Sequence, residues 1–265
     1  MRITQCNITS PLKRSGAGWT FIKHYKLSQY DNSRKPTIFF GFYDEILDLK
    51  KLNSHKSIAI IFWTGSDILK TKLAKKVVNR SNVYNIAISS FIADDLDRLG
   101  AKYKRLPIRG IPKPGLRVCP LGNEIYTYVP RPDKKKNQKR YGWKLVQYVV
   151  ENCGFKVNVA DSLTKYPWKK LLKVYKKCFL CLRFTNHDGL SNTAVEMGIM
   201  GRKSFSNDRW LPGGIPWSDT NPEDVVEKIK IEAEKIGTKN IEIAKNMKKY
   251  IHTGTDWLDT SFWKQ

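Results

Sequence analysis

The chain has 265 residues, 41% of them hydrophobic, with 8 Trp, 12 Tyr and 11 Phe. That excludes a disordered polymer and allows one large domain or two of roughly 120 residues, each with its own core. Lys and Arg number 48 against 24 Asp and Glu, a formal net charge of +24, which favours polyanionic partners, duplex nucleic acid first and an anionic membrane surface second.

No apolar run approaches the roughly 18 residues that span a bilayer. The N-terminus, Met1-Arg-Ile-Thr-Gln-Cys-Asn7, lacks the apolar core of a signal peptide, so the expected location is the cytoplasm. Five cysteines give no disulfide framework, and Cys178 and Cys181, although spaced Cys-x-x-Cys, flank a strand interior and read as core. The four histidines form no metal-ligand pattern, so no metal is expected.

In chain order, residues 1–8 read as a first strand, followed by a turn with Gly16 and Gly18 and a helix over residues 20–30. Gly16 and Gly18 fit either a phosphate-holding or acceptor-admitting loop, or a plain turn. Residues 35–41 read as a strand and 42–52 as a helix. Residues 57–63 form an unbroken apolar run that suits a parallel strand covered on both faces. That strand ends in Trp63-Thr-Gly65-Ser66-Asp67, with a helix expected to about Val78. Asp67 has two readings: a helix-start acid favoured by the dipole, or a cleft acid at a strand's carboxyl end that orients an acceptor or takes its proton. Residues 84–90 and 103–106 read as strands around a helix at 91–99. The stretch from 108 to 123, rich in Pro and Gly, reads as a linker.

A second strand–helix series follows: strands at 124–130 and 155–160, helices at 143–152 and 166–177, and a buried strand at 178–182. Between the first strand and helix of this series lies a basic loop, Arg131 to Arg140, with Lys134, Lys135, Lys136 and Lys139. With Lys169 and Lys173 on a later helix it offers a polyanion surface, or else a solvated charged face. Tyr141, Trp143, Trp168 and Tyr175 either stack on bases or pack a core. A short strand at 204–207, helices at 224–236 and 241–251 and a tail at 256–263 complete the chain.

The most informative stretch runs from Arg183 through His187, Asp188, Gly189, Leu190, Ser191, Asn192, Thr193 and Glu196 to Gly201. A buried strand, a glycine-containing break and a helix with small polar residues at its start aim free amides and a positive dipole end at one spot, which suits a phosphate. Asp188 and Glu196, separated by seven residues in this context, resemble the carboxylate signature of GT-B glycosyltransferases; that family usually has glutamate first. The Phe62-Trp63-Thr-Gly65-Ser66-Asp67 segment is similar to the Trp/His-x-Gly-Ser-Asp run with which many GT-B enzymes leave an N-domain strand.

The resemblance implies an α/β chain of two Rossmann-like parallel-sheet domains facing a central cleft. The expected boundaries are 1–115 for the acceptor side, 116–250 for the nucleotide-sugar side, and 251–265 for a helix returning to the first domain. It implies transfer of a sugar from a nucleotide donor, most simply a UDP-sugar, without a metal and with retention as the default. Asp188 would lie against the donor sugar and Glu196 at the ribose, while Gly189 to Thr193, His187, Arg183 and Arg131 would hold the diphosphate. Gly16, Gly18, Trp63, Gly65 and Ser66 would line the acceptor cleft, with Asp67 as a base. The charge adds the acceptor expectation: a hydroxymethylated base in duplex DNA, as in phage enzymes of a host cytoplasm. A lipid or polysaccharide at the inner membrane face is the alternative, and an inactive nucleic-acid-binding module the third reading. A monomer is expected.

Overall fold

The computed structural model describes residues 1–14, 17–108, 113–162 and 166–264. The chain divides into two compact units. One comprises Met1–Pro112, Asp188–Leu190 and Ile251–Gln265; the other comprises Lys113–His187 and Ser191–Tyr250.

The first unit runs β1 (Gln5–Ile8), α1 (Ser10–Arg14), α2 (Ala17–Tyr25), β2 (Ser28–Gln29), β3 (Thr37–Phe40), α3 (Leu47–Ser54), β4 (Ala59–Phe62), α4 (Thr71–Lys75), β5 (Val83–Ala87), α5 (Ser90–Arg98) and β6 (Tyr103–Arg105). Its sheet has the order β2-β1-β3-β4-β5-β6, with every pair parallel. The chain steps from β1 outward to β2 and then back across to β3, so the switch point lies between β1 and β3. Loops at the carboxyl ends of adjacent strands there are where open α/β sheets bind ligands. β4 is buried along its whole length, as its unbroken apolar run requires.

The second unit runs β7 (Glu124–Tyr128), α6 (Lys135–Arg140), α7 (Trp143–Asn152), β8 (Val157–Ala160), α8 (Trp168–Lys177), β9 (Cys178–Leu182), α9 (Asn192–Ile199), β10 (Lys203–Phe205), β11 (Gly214–Ile215), α10 (Pro222–Ala233) and α11 (Ile241–Tyr250). Its sheet order is β11-β10-β9-β7-β8, again all parallel. One apolar cluster brings Val146 and Val149 of α7 together with Val225 and Ile229 of α10. A second cluster brings Tyr175 of α8 together with Met197 of α9, Tyr126 and Cys181. The tail ends in a 3-10 turn, Asp256–Leu258, and α12 (Ser261–Lys264). It is pinned to the chain start, where Ile3 N–H donates to Leu258 O at 2.7 Å and Thr260 Oγ1 to Met1 O at 2.8 Å.

The expected pair of parallel-sheet α/β units is present. Several elements differ from their sequence reading. The helix expected from residue 42 starts at Leu47, because the Asp44 carboxylate accepts the N–H groups of Ile46 and Leu47 and keeps the preceding stretch in a loop. The helix expected to reach Val78 ends at Lys75 and continues only as turns. The basic loop contains a helix, α6, and Gly18 lies within α2 rather than in a turn. No helix among the described residues is long and apolar enough to cross a membrane.

Candidate functional site

In the second unit β9 is buried end to end and delivers the chain to α9. Ser191 caps that helix: its Oγ accepts from Ala194 N–H at 3.3 Å. The first-turn N–H groups of an α-helix have no partner within the helix, and with the dipole they present a positive end. Asn192 and Thr193 supply that turn. Glu196 follows one turn in, only 6% exposed, and its Oε2 accepts the Tyr175 hydroxyl at 3.0 Å. Tyr175 is itself fixed edge-on against Tyr126, with ring centroids 5.0 Å apart. Burial first, and then the negative Glu196, push the Tyr175 phenol well above its ordinary value, so it stays a donor. Nothing in the sequence marked Tyr175 as the partner of Glu196; its side chain lies on the apolar stripe of α8 and reads as core.

Cations gather at the carboxyl ends of β7 and β9. Arg183 leaves β9 with its guanidinium 5.0 Å over the Tyr141 ring and bears electrostatically on Tyr128 at the end of β7. Arg131 sits in the left-handed region at φ 51° and forks onto Asp133, with Nε to Oδ1 at 2.9 Å and Nη2 to Oδ2 at 2.8 Å. That fork, ahead of the smaller effect of burial, holds the Asp133 carboxyl down at about 2. Lys134, Lys135, Lys136, Lys139, Lys169 and Lys173 are exposed, and Arg140 is half-buried. Tyr175 and Trp168 are structural rather than base-stacking: the first is buried, and the second donates Nε1–H to Pro114 O at 2.8 Å. His187 is half-buried.

In the first unit Asp67 is 0% exposed. It accepts the main-chain N–H of Thr64 at 3.0 Å and of Phe42 at 3.1 Å, tying the loops after β3 and β4 together. Burial pushes its carboxyl above the usual range against the lowering pull of these donors. The role of acceptor base is therefore corrected: no Asp67 oxygen reaches solvent, and the carboxylate holds the loop. Trp63 is corrected likewise. It is a core residue whose Nε1–H donates to Asn85 Oδ1 at 3.0 Å. Ser66 Oγ and Thr64 Oγ1 each lie 3.1 Å from the Tyr43 hydroxyl, a residue the sequence did not single out.

Asp188, Gly189 and Leu190 group with the first unit. Ser89, the cap of α5, donates its hydroxyl to Asp188 O at 2.9 Å. Gly65, at φ 127°, meets Gly189 backbone to backbone. A Cβ on Gly65 would stand 3.0 Å from Gly189 N, and one on Gly189 2.5 Å from Thr64 O, so only glycine fits at either position. Gly18 packs buried against Ile8 in α2, and Gly16 lies outside the described residues. Among the described residues no group of three or more His, Cys, Asp or Glu could hold a metal ion.

No family model matches the chain, and no curated protein matches it in sequence above chance. Solved structures do match it in fold. TarM superposes with a TM-score of 0.58 at 14% identity over 88% of this chain and 55% of that one. The lipopolysaccharide outer core galactosyltransferase WaaB matches at 0.56 and 15%, over 97% and 82%. The Burkholderia multivorans α,α-trehalose 6-phosphate synthase matches at 0.53 and 11%, over 95% and 73%. The fold is that of the GT-B glycosyltransferases, and the chain spans little more than half the length of TarM.

Proposed function

We propose that the chain transfers a sugar from a nucleoside-diphosphate donor to a hydroxyl acceptor. The observation that carries this reading is the Ser191-capped start of α9, set directly after buried β9, with Glu196 one turn in and held by Tyr175. The diphosphate would rest on the amides of Asn192 and Thr193, and Glu196 would accept the ribose hydroxyls. Arg183 would neutralise the charge that grows on the leaving diphosphate as the glycosidic bond breaks, and Arg131 would join it by exchanging Asp133 for phosphate. A UDP complex of S. aureus TarM, a protein of the same fold, supports uridine as the base.

Two acceptors fit a charge of +24. A hydroxymethylated base in duplex DNA would be gripped by the lysines of α6 and α8. The second, a lipid or polysaccharide presented at an anionic membrane, is the reading we adopt. It is favoured by three exposed aliphatic side chains, Ile46, Leu47 and Leu69, at one end of the first unit's sheet, and by the lipopolysaccharide in the name of WaaB. The cytoplasmic face of a membrane is the corresponding location.

The test is a melting-temperature screen against nucleoside diphosphates and their sugars. A donor at a hundred times its dissociation constant should add about 2.7 kcal/mol of stability, and Glu196→Ala should abolish the rise. If no nucleotide raises the midpoint, the donor site does not exist.

A further inference from the structure

Three of the large apolar side chains exposed among the described residues follow neighbouring strands of the first unit: Ile46 at 78% exposed, Leu47, the first residue of α3, at 52%, and Leu69 at 50%. Ile46 and Leu47 follow β3, and Leu69 follows β4. These strands are paired in parallel inside the sheet, so both segments leave its same, carboxyl end. The loops are also tied directly. Lys70 Nζ donates to Tyr43 O, and Lys76 Nζ meets Glu45 Oε1 at 2.7 Å. Glu45 feels Lys76 foremost, and also Lys70 and Lys72, which together hold its carboxyl below the usual range. Lys50, Lys72 and Lys75 are exposed around the same loops.

Single exposed aliphatics are ordinary on a protein surface, but three of them at one end of a sheet, on segments tied to each other and flanked by exposed lysines, mark an interaction site. We propose that this end of the sheet docks on an anionic lipid bilayer, with Ile46, Leu47 and Leu69 entering the interface and Lys50, Lys72 and Lys75 facing the headgroups. Aliphatic side chains gain by leaving water for the acyl boundary, while lysines gain only where the headgroups are anionic. A DNA duplex offers phosphates to the lysines but nothing to three aliphatic tips. A second copy in a two-fold contact would set the lysine ring against itself. The inference rests on the membrane reading of the acceptor for its consequence, yet binding itself is measured without catalysis.

The experiment is flotation of the full chain with vesicles of phosphatidylcholine alone and of equal parts phosphatidylcholine and phosphatidylglycerol. Binding is expected only with phosphatidylglycerol, and should fall about tenfold or more in Ile46→Ser/Leu47→Ser/Leu69→Ser. Lys134→Gln/Lys135→Gln/Lys136→Gln should leave most of it. A direct reporter is Ile46→Cys carrying an environment-sensitive fluorophore in a Cys119→Ser background, since the other four cysteines are buried. Its emission should shift to the blue on these vesicles. Wild-type flotation by the apolar triple variant, loss of flotation in the α6 variant, or an unshifted fluorophore would each overturn the proposal. So would a shift produced by duplex DNA and not by vesicles. A nucleotide-induced melting rise that survives in the apolar triple variant separates failure here from failure of the donor site.

Discussion

The Tyr175 hydroxyl and the Glu196 carboxylate meet at 3.0 Å inside the second unit, joining α8 to α9 through a pair that solvent barely touches. The tyrosine helps to hold the glutamate, and under the proposed function that hold would present it to the ribose diol. Tyr175→Phe keeps the ring against Tyr126 and removes only the donor. The fold should survive, while nucleotide affinity should drop by about 1.5–3 kcal/mol, the range for a hydrogen bond to a charged group. Calorimetric titration with UDP measures the change. An unchanged affinity alongside an intact fold would mean that Glu196 does not depend on Tyr175.

Asp67 yields a prediction that separates structure from chemistry. Asp67→Ala leaves the N–H groups of Thr64 and Phe42 without their acceptor and should cost about 2–6 kcal/mol, the sum of two unsatisfied donors. Asp67→Asn keeps an acceptor oxygen and should cost less. Because burial raises the folded pKa of Asp67, the fold loses stability as pH rises from the usual carboxylate value to the raised folded one and stays level above it, and the asparagine variant escapes that slope. Donor turnover should persist in Asp67→Asn. A general base would instead lose about a hundredfold or more on the same substitution.

How far the sequence could be read follows from what each element depends on. β9 and α7 fall where the apolar patterns put them, because their periodicity is uninterrupted and their ends coincide with chemical breaks. The cap at Ser191 was legible for the same reason. β2 and β11, two residues each, were not: they exist through pairing with β1 and β10 and carry no pattern of their own. α6 was hidden because lysine runs look alike in loops and on solvated helices. Asp67 and Trp63 were misjudged for a deeper reason. A strand-end motif fixes their position in the chain, but whether the side chain turns to solvent or back into the core depends on partners such as Phe42 and Asn85 that are distant in sequence.

The Gly65–Gly189 approach gives a third test. Gly65→Ala imposes both a strained φ and a contact 3.0 Å from Gly189 N. The cost should be about 1–3 kcal/mol, read as a lower midpoint in urea denaturation. Gly100→Ala is the control: its φ is also positive but nothing lies within 4 Å of the added carbon. It should therefore report backbone strain alone, and a loss as large as that of Gly65→Ala would remove close approach as the cause.

Glu232 gives a fourth test, of acid stability in the second unit. It accepts from Lys203 Nζ at 2.7 Å and Lys235 Nζ at 2.9 Å. Burial pushes its carboxyl up, but the two lysines outweigh burial and leave it below its ordinary value. A carboxyl with a depressed folded pKa contributes stability that is fully present above its unfolded value, near 4.5, and is lost as pH falls through the folded one. Wild-type stability should therefore decline between the unfolded value and lower pH more steeply than that of Glu232→Gln. At neutral pH the variant should be weaker by about 1–2 kcal/mol, less than a fully buried pair would cost because the Lys235 side chain is 44% exposed. Urea midpoints taken from pH 7 down through the carboxylate range measure both quantities. Parallel curves for the two proteins would mean that the lysines contribute no net stabilisation through Glu232.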